Sequence, residues 1–211
     1  MSIVFLDKDG IMVDSEGEYL RRNIQFMKIY GLDINDKNLN DLAGSNPKRD
    51  REIYKKWFGP NFDVDKFMKE KFHYFDGNPV DFVALKMAHL NELLDGLRMK
   101  NCHITLVSSS LKRNIDRLLS DYGIRDYFEH IVSGEDFKES KPNPEIYNYA
   151  KSLYAGVDEP IFVVEDSTLG IEAAKGAGLT TIAKRDERFG YDQSKADFII
   201  DDLLETLDIV S

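Results

Sequence analysis

Cysteine, basic charge and long apolar runs are all scarce in this sequence. Cys102 is the single cysteine among 211 residues, which excludes an internal disulfide and a cysteine-rich zinc site. Lys and Arg total 28 against 38 Asp and Glu, so the formal net charge is −10. This deficit of positive charge argues against sequence-independent binding to nucleic acid and against attachment to an anionic membrane surface.

The apolar runs that do occur are short. None approaches the length of a membrane-spanning helix, and Met1 and Ser2 lead directly into a strand-like segment, so no signal peptide is expected. We therefore expect a soluble, cytoplasmic protein that is a monomer. Hydrophobic residues make up 42% of the chain, which suffices for one large domain or for a core with a smaller insert.

Strand-like and helical patterns alternate along most of the chain. Short apolar runs predict strands at residues 3–6, 104–107, 130–132, 161–164, 180–183 and 198–200. Helical spacing of apolar residues predicts intervening helices over 83–97, 111–122, 144–154 and 169–175, and a short helix near 203–207. Alternation of this kind predicts an α/β fold with a Rossmann-like parallel sheet and helices on both faces.

The segment directly after the first strand has a different pattern. Residues 15–79 contain three runs with helical spacing, one of them starting at Pro47, and no strand-like run. The sequence therefore predicts an α/β core of residues 1–14 and 80–211 and an inserted helical cap of residues 15–79. The two connections, at Asp14-Ser15 and at Gly77-Asn78-Pro79, are candidate hinges.

Polar residues stand at or near the ends of the predicted strands: Asp7, Asp9, Ser108, Lys141, Glu165 and Asp166. Because parallel strands bring their carboxyl ends to one edge of a sheet, these side chains should converge there. Several carboxylates in a small volume need a cation or a proton, and oxygen ligands suit Mg²⁺. A hydroxyl group and a lysine beside such a metal would bind a phosphoryl group.

Each of these residues also has an ordinary structural interpretation. Asp and Ser are common in turns, an acid can cap the following helix, and a lysine can be a solvated surface residue. We interpret Ser109 and Ser110 as loop or cap residues, although the backbone amide of Ser109 is also a candidate to bind phosphate.

The polar clusters together resemble the motifs of the haloacid dehalogenase-like (HAD) superfamily. The four matching segments are Asp7-Lys8-Asp9-Gly10 with Asp14-Ser15, 106–110, 140–147, and 164–167 with 170–174. Four motifs in order at strand ends form a strong signal, and the resemblance covers essentially the whole chain. The chain is most similar to the branch that holds β-phosphoglucomutase and sugar-phosphate phosphatases, in which a helical cap follows the first motif.

The resemblance implies a role for each matching residue. Asp7 is the nucleophile that becomes an aspartyl phosphate, and Asp9 is the general acid and base. The implied Mg²⁺ ligands are Asp7, the main-chain carbonyl of Asp9, and Asp166, with Glu165 supporting the metal through water. The residues implied to hold the transferred phosphate are Ser108, Ser109 and Lys141.

The cap should cover the catalytic edge and select the substrate. Lys48 and Arg49 occupy the position of the family's substrate loop. One interpretation is that Lys48 or Arg49 binds a second phosphate; the other is that both are ordinary solvated residues. Tyr19 stands where the resemblance to β-phosphoglucomutase implies a histidine. Since tyrosine lacks the proton chemistry of imidazole near neutral pH, this departure weakens the mutase interpretation.

The sequence thus predicts a Mg²⁺-dependent phosphohydrolase that acts on a small phosphomonoester, with a sugar phosphate as the favoured class. One alternative is a hexose-phosphate mutase of the β-phosphoglucomutase type. Another is a non-enzymatic phosphoacceptor or binding module such as a receiver domain, which shares the clustered acids, hydroxyl group and lysine but lacks a large cap. A dehalogenase shares the fold but needs neither the second aspartate nor Mg²⁺.

Overall fold

A six-stranded sheet is present in the computed structural model, which describes residues 1–210. Its strands are β1 (Ile3–Leu6), β2 (His103–Ser108), β3 (His130–Ser133), β4 (Ile161–Glu165), β5 (Thr180–Lys184) and β6 (Phe198–Ile200). Every neighbouring pair is parallel, in the order β3-β2-β1-β4-β5-β6. The predicted α/β fold with a parallel sheet is confirmed.

Helices occupy the segments between and beyond the strands. They are α1 (Glu16–Ile29), α2 (Pro47–Phe58), α3 (Val64–Asp76), α4 (Leu90–Met99), α5 (Lys112–Tyr122), α6 (Glu145–Ser152), α7 (Thr168–Gly176) and α8 (Thr206–Ile209). Single 3₁₀ turns cover 39–42, 83–85, 125–127, 134–136 and 203–205. Among residues 1–210, none of the helices has the length and apolar character needed to cross a membrane.

The central strand β1 is wholly buried because β2 and β4 pair with it on either side. Its alternate side chains Ile3 and Phe5 join one apolar cluster with residues of α6 and α7. Tyr147 and Ala150 come from α6, and Ala173 comes from α7. A fully buried strand holds its carboxyl end in a fixed position, and that end is where Asp7 begins.

The chain divides into two compact units. Of the described residues, 1–14 and 82–210 form the core unit, and 15–81 form the helical unit. The helical unit has its own apolar cluster, in which Phe26, Tyr54, Phe67 and Met68 from α1, α2 and α3 pack together. Its second helix starts as the sequence predicts, with Asn46 as N-cap and Pro47 at the first helical position.

One predicted element differs from the structure: the helix expected over residues 83–97 begins only at Leu90. The amide of Asp14 donates to the carbonyl of Leu85, and the amide of Met87 donates to the carbonyl of Met12. These bonds tie residues 85–87 to the loop after β1, so they cannot form helical bonds. His89 then takes a left-handed conformation with φ of 60° directly before α4.

Candidate active site

Asp7 directly follows β1, at the carboxyl edge of the sheet. Its amide donates to the carbonyl of Val164 at 3.1 Å, and its side chain is buried. The chain then turns tightly, since the amide of Met12 donates to the carbonyl of Lys8 at 2.8 Å. Gly10 has a φ of +76°, a value that favours glycine. The first acidic motif is therefore fixed by the strand before it and by the turn within it.

Lys141 lies between two of the predicted carboxylates. Its Nζ donates to Oδ1 of Asp7 at 2.7 Å and to Oε1 of Glu165 at 2.6 Å, and all three side chains are buried. Burial alone would lower the pKa of Lys141, but the charges of Asp7 and Glu165 outweigh it and raise the pKa well above the usual value. Lys141 therefore carries a fixed positive charge at the end of β1.

The ionised form of Asp7 is disfavoured even though Lys141 contacts it. Its pKa is raised from 3.8 to about 7, chiefly by burial; the charge of Lys141 opposes the rise, and the charges of Glu165 and Asp9 add to it. A carboxyl group with such a pKa gains from an additional cation nearby. The chemistry of the site thus favours binding of a positive ion beside Asp7.

Glu165, at the end of β4, has both carboxylate oxygens engaged by protein donors. Oε1 accepts from Lys141 and, at 2.9 Å, from the hydroxyl of Tyr147. Oε2 accepts from the amide of Asp166 at 3.1 Å and from the hydroxyl of Ser167 at 3.4 Å. The side chain is 1% exposed, so it is held in one position between β4 and α7.

Asp166 approaches the backbone of the first motif. A Cβ atom added to Gly10 would lie 1.9 Å from Oδ2 of Asp166, which shows that glycine is required for this close approach. Asp166 and the Asp7–Asp9 turn are therefore brought together. The arrangement agrees with the convergence that parallel strands impose on residues at their carboxyl ends.

Asp9 is held through both carboxylate oxygens. The ammonium of Lys8 donates to Oδ1, and the hydroxyl of Ser110 donates to Oδ2 at 2.8 Å. Lys8 is completely buried, and its Nζ lies 5.2 Å from the centroid of the Phe82 ring. The pair of donors keeps the Asp9 carboxylate in one orientation.

The serine segment after β2 lies at the same edge of the sheet. Ser108 is fully buried, and its Oγ accepts from the amide of Ser110 at 3.1 Å. The backbone of Ser109 packs closely against Gly134, where an added Cβ would lie 2.8 Å from the Ser109 Cα. The hydroxyl of Ser110, which sequence reasoning placed in an ordinary loop, contacts Asp9.

Three participants were missed from the sequence: Lys8, Ser110 and Tyr147. Lys8 and Ser110 sit in irregular segments, where no periodicity indicates the direction of a side chain. Tyr147 occupies an apolar position of α6 and therefore has the pattern of a core residue. Their position within the segments that resemble the family motifs was the one available signal.

The three cap candidates belong to the helical unit. Tyr19 lies in the first turns of α1, and its amide donates to the carbonyl of Ser15 at 2.9 Å. The amides of Lys48 and Arg49 both donate to Oδ1 of Asn46 at 3.0 Å, at the start of α2. Among residues 1–210, the buried Nε of Arg49 has no hydrogen-bond partner.

Within the part of the chain that the structure describes, no three His, Cys, Asp or Glu side chains form a ready metal cluster. The oxygen ligands expected at the first motif are the carboxylates of Asp7 and Asp166 and the main-chain carbonyl of Asp9. Mg²⁺ commonly uses one or two carboxylates and keeps several waters, so this oxygen set fits Mg²⁺ better than a metal that needs a full protein cage.

This chain is similar to several known proteins. Residues 3–184 match the haloacid dehalogenase-like hydrolase family. A phosphorylated carbohydrates phosphatase from Thermotoga maritima is 26% identical over 182 residues, covering 86% of this chain and 84% of that protein. A phosphoglycolate phosphatase from Vibrio vulnificus is 30% identical over 135 residues, covering 59% of this chain and 58% of that protein.

A solved structure with the same fold is that of a β-phosphoglucomutase from Clostridium difficile. It has a TM-score of 0.79 and 22% identity to this chain, and the match covers 97% of this chain and 92% of that one. At this level of identity, the likeness concerns the fold.

Proposed function

This chain belongs to the haloacid dehalogenase-like hydrolase family, and on that premise we propose that it is a Mg²⁺-dependent phosphohydrolase of small phosphomonoesters. A sugar phosphate is the favoured substrate class. The similarity to a phosphorylated carbohydrates phosphatase, over most of both chains, supports this choice. The formal net charge of −10 also suits a small substrate better than a nucleic acid.

The observation that carries the proposal is the contact between Lys141 and Asp7. A buried ammonium lies 2.7 Å from a carboxylate oxygen that, in this role, must attack phosphorus. Phosphoryl transfer depends on positioning and on neutralising the charge of the equatorial oxygens. Lys141 is placed to supply that charge at the nucleophile, and Ser108 with the amide of Ser109 would complete the phosphate site.

The proposed reaction proceeds in two displacements. An oxygen of Asp7 attacks phosphorus, the bond to the ester oxygen breaks, and Asp9 gives its proton to the departing alcohol. A water molecule then attacks phosphorus while Asp9 takes its proton, and the bond to Asp7 breaks to release phosphate. The two contacts to Asp9, from Lys8 and Ser110, hold the carboxylate that moves the proton.

Magnesium would be held by Asp7, Asp166 and the main-chain carbonyl of Asp9. When bound, it would neutralise charge on the phosphoryl oxygens and favour the ionised form of Asp7, whose pKa is raised chiefly by burial. Glu165 remains a supporting residue of this site, acting through the groups that it holds.

Tyr19, Lys48 and Arg49 of the helical unit are proposed to contribute to substrate choice. Arg49 is the strongest of the three because its buried Nε has no partner among residues 1–210. A second phosphate on the substrate is one group that it would bind. Tyr19 offers no imidazole, which favours hydrolysis over mutase chemistry.

A screen of phosphorylated metabolites with and without Mg²⁺ tests the proposal. We expect release of inorganic phosphate from sugar phosphates that depends on Mg²⁺. The screen includes β-glucose 1-phosphate with a bisphosphate primer, because isomerised hexose 6-phosphate would instead indicate a mutase. A stable phosphoprotein without turnover would indicate a phosphoacceptor module.

Substitution of the nucleophile provides the second arm of this test. Asp7→Asn should abolish turnover, whereas Asp208→Asn, at an exposed position of α8, should retain it. Full activity in Asp7→Asn would refute the assigned nucleophile and with it the proposed mechanism.

A further inference from the structure

The hydroxyl of Tyr147 lies at the centre of the buried charged cluster. It is 2.9 Å from Oε1 of Glu165 and 3.1 Å from Nζ of Lys141. The Tyr147 side chain is 0% exposed, and Nζ of Lys141 also lies 4.8 Å from the centroid of its ring. A single side chain therefore contacts both the fixed cation and the carboxylate that partners it.

Lys141 has more acceptors than protons. Its ammonium carries three N–H groups, while four oxygen atoms lie within reach. They belong to Asp7 at 2.7 Å, Glu165 at 2.6 Å, Tyr147 at 3.1 Å and the carbonyl of Val107 at 3.4 Å. The direction in which the ammonium points is therefore set by competition among these acceptors, and a change in any of them redirects it.

Glu165 is the most firmly held of these acceptors. Its Oε2 accepts from the amides of Asp166 and Ser167 at 3.1 and 3.5 Å, and from the Ser167 hydroxyl. A Cβ atom added to Gly170 would lie 1.9 Å from Oε1, so α7 also confines the carboxylate by direct contact. Oε1 is therefore free to adjust only toward Tyr147 and Lys141.

Tyr147 and Lys141 both donate a hydrogen bond to Oε1 of Glu165. By donating its hydroxyl proton to this oxygen, Tyr147 uses one lone pair and leaves the other for Lys141. The hydroxyl oxygen meanwhile accepts from Lys141. Without the hydroxyl, Glu165 would bind the ammonium more closely and draw it away from Asp7.

The geometry points to Tyr147 as a positioning residue that holds the Lys141 ammonium beside Asp7 and thereby sets the affinity of the site for phosphate. In this arrangement Glu165 is the anchor through which Tyr147 acts. The inference rests on the proposed function, because it takes the phosphoryl group as the ligand of Lys141. It assigns a role to a residue that belongs to none of the expected catalytic or metal-binding groups.

Tyr147→Phe tests this inference, since it removes the hydroxyl and leaves the ring. The matched control is Tyr154→Phe, because Tyr154 belongs to the same apolar cluster and its hydroxyl also bonds a buried partner, Thr105 Oγ1 at 2.7 Å. Binding of inorganic phosphate in the presence of Mg²⁺ is measured by calorimetry. We expect about tenfold weaker binding for Tyr147→Phe and less than about twofold change for Tyr154→Phe.

The route of the effect is tested with Glu165→Gln. The double variant combines Tyr147→Phe with Glu165→Gln. If Tyr147 acts through Glu165, its loss of phosphate affinity should be no larger than the larger of the two losses in the single variants. Unchanged phosphate affinity in Tyr147→Phe, or additive losses in the double variant, would overturn the inference. Should Tyr147→Phe fail to fold, Glu165→Gln alone carries the test, and unchanged affinity in it has the same meaning.

The proposed function and the positioning role of Tyr147 would be refuted by different results. A wild-type protein that binds phosphate but hydrolyses no ester would refute the proposed function and leave the binding test valid. A wild-type phosphatase whose phosphate affinity survives Tyr147→Phe would refute the positioning role of Tyr147 alone.

Discussion

The hydroxyl of Ser110 donates a 2.8 Å hydrogen bond to Oδ2 of Asp9, across 101 residues of sequence. The ammonium of Lys8 holds the other oxygen of the same carboxylate. Asp9 is thus oriented from two sides, once by its neighbour in the turn and once by the segment after β2. A group that must give and take a proton in one reaction cycle benefits from such fixed orientation.

Ser110→Ala should therefore slow turnover more than it weakens substrate binding. Loss of one orienting hydrogen bond to the proton-transfer group is expected to lower kcat about tenfold, with little change in KM. Steady-state kinetics on the best substrate of the screen provides the measurement. The control is Ser152→Ala, whose exposed hydroxyl donates to the carbonyl of Tyr149; an equal loss in both variants would contradict the role of Ser110.

Asp7→Asn should stabilise the fold at high pH. Because the folded protein holds the Asp7 proton up to about pH 7, whereas the unfolded chain releases it near pH 3.8, ionised Asp7 costs stability. That cost grows between about pH 4 and pH 7 and is fully present above this range. Without Mg²⁺, the Asn variant should melt a few degrees above the wild type at pH 8.

The comparison with acidic pH supplies the control for this prediction. Near pH 4 the carboxyl group is protonated in the folded state, so the advantage of the Asn variant should shrink. An advantage that stays the same at pH 4 and pH 8 would mean that ionisation of Asp7 is not its cause. Thermal unfolding by circular dichroism at both pH values distinguishes these results.

Gly10→Ala should disturb the site beyond its effect on stability. Gly178 also has a positive φ, of +71°, but an added Cβ there meets nothing within 4 Å, whereas at Gly10 it would collide with Asp166. Both variants should lose about 1 kcal/mol or more of unfolding free energy through backbone strain. Only Gly10→Ala should also raise the Mg²⁺ concentration needed for half-maximal activity, because it displaces the Asp166 carboxylate.

Arg49→Ala tests the proposed contribution of the helical unit. With a buried Nε that has no partner among residues 1–210, Arg49 is expected to bind a second phosphate of a bisphosphorylated substrate. KM for such a substrate should rise about tenfold or more, while KM for p-nitrophenyl phosphate should change little. Arg51→Ala is the control, since Arg51 lies in the same helix and pairs with exposed Asp65; similar effects of both variants would refute the assignment.

The strand ends were predictable because their pattern is local. Four apolar residues before Asp7, and four before Glu165, identify buried parallel strands, and the geometry of a parallel sheet then brings their ends together. The start of α2 was equally clear from Asn46 and Pro47. The fold and the neighbourhood of Lys141, Asp7 and Glu165 thus follow from short-range sequence patterns.

The features that the sequence did not predict depend on contacts between residues far apart in the sequence. Apolar spacing favoured a helix through Met87, but backbone bonds from Met12 and Asp14 to residues 85–87 compete with helical bonds and prevail. Tyr147 has the spacing of a core residue, and nothing local shows that its hydroxyl meets Glu165. Contacts of this kind become visible only when the whole sheet is assembled.

Of the six strands, β1 is synthesised first, and its second sheet neighbour, β4, is made much later. Ile3 of β1 pairs with His103 on one side and with Ile161 on the other. At translation rates of about 5–20 residues per second, β1 waits roughly 8 to 30 s on the ribosome before β4 has been made. Throughout that interval its apolar residues lack a sheet neighbour on one side, so this open strand edge favours aggregation until β4 has been made.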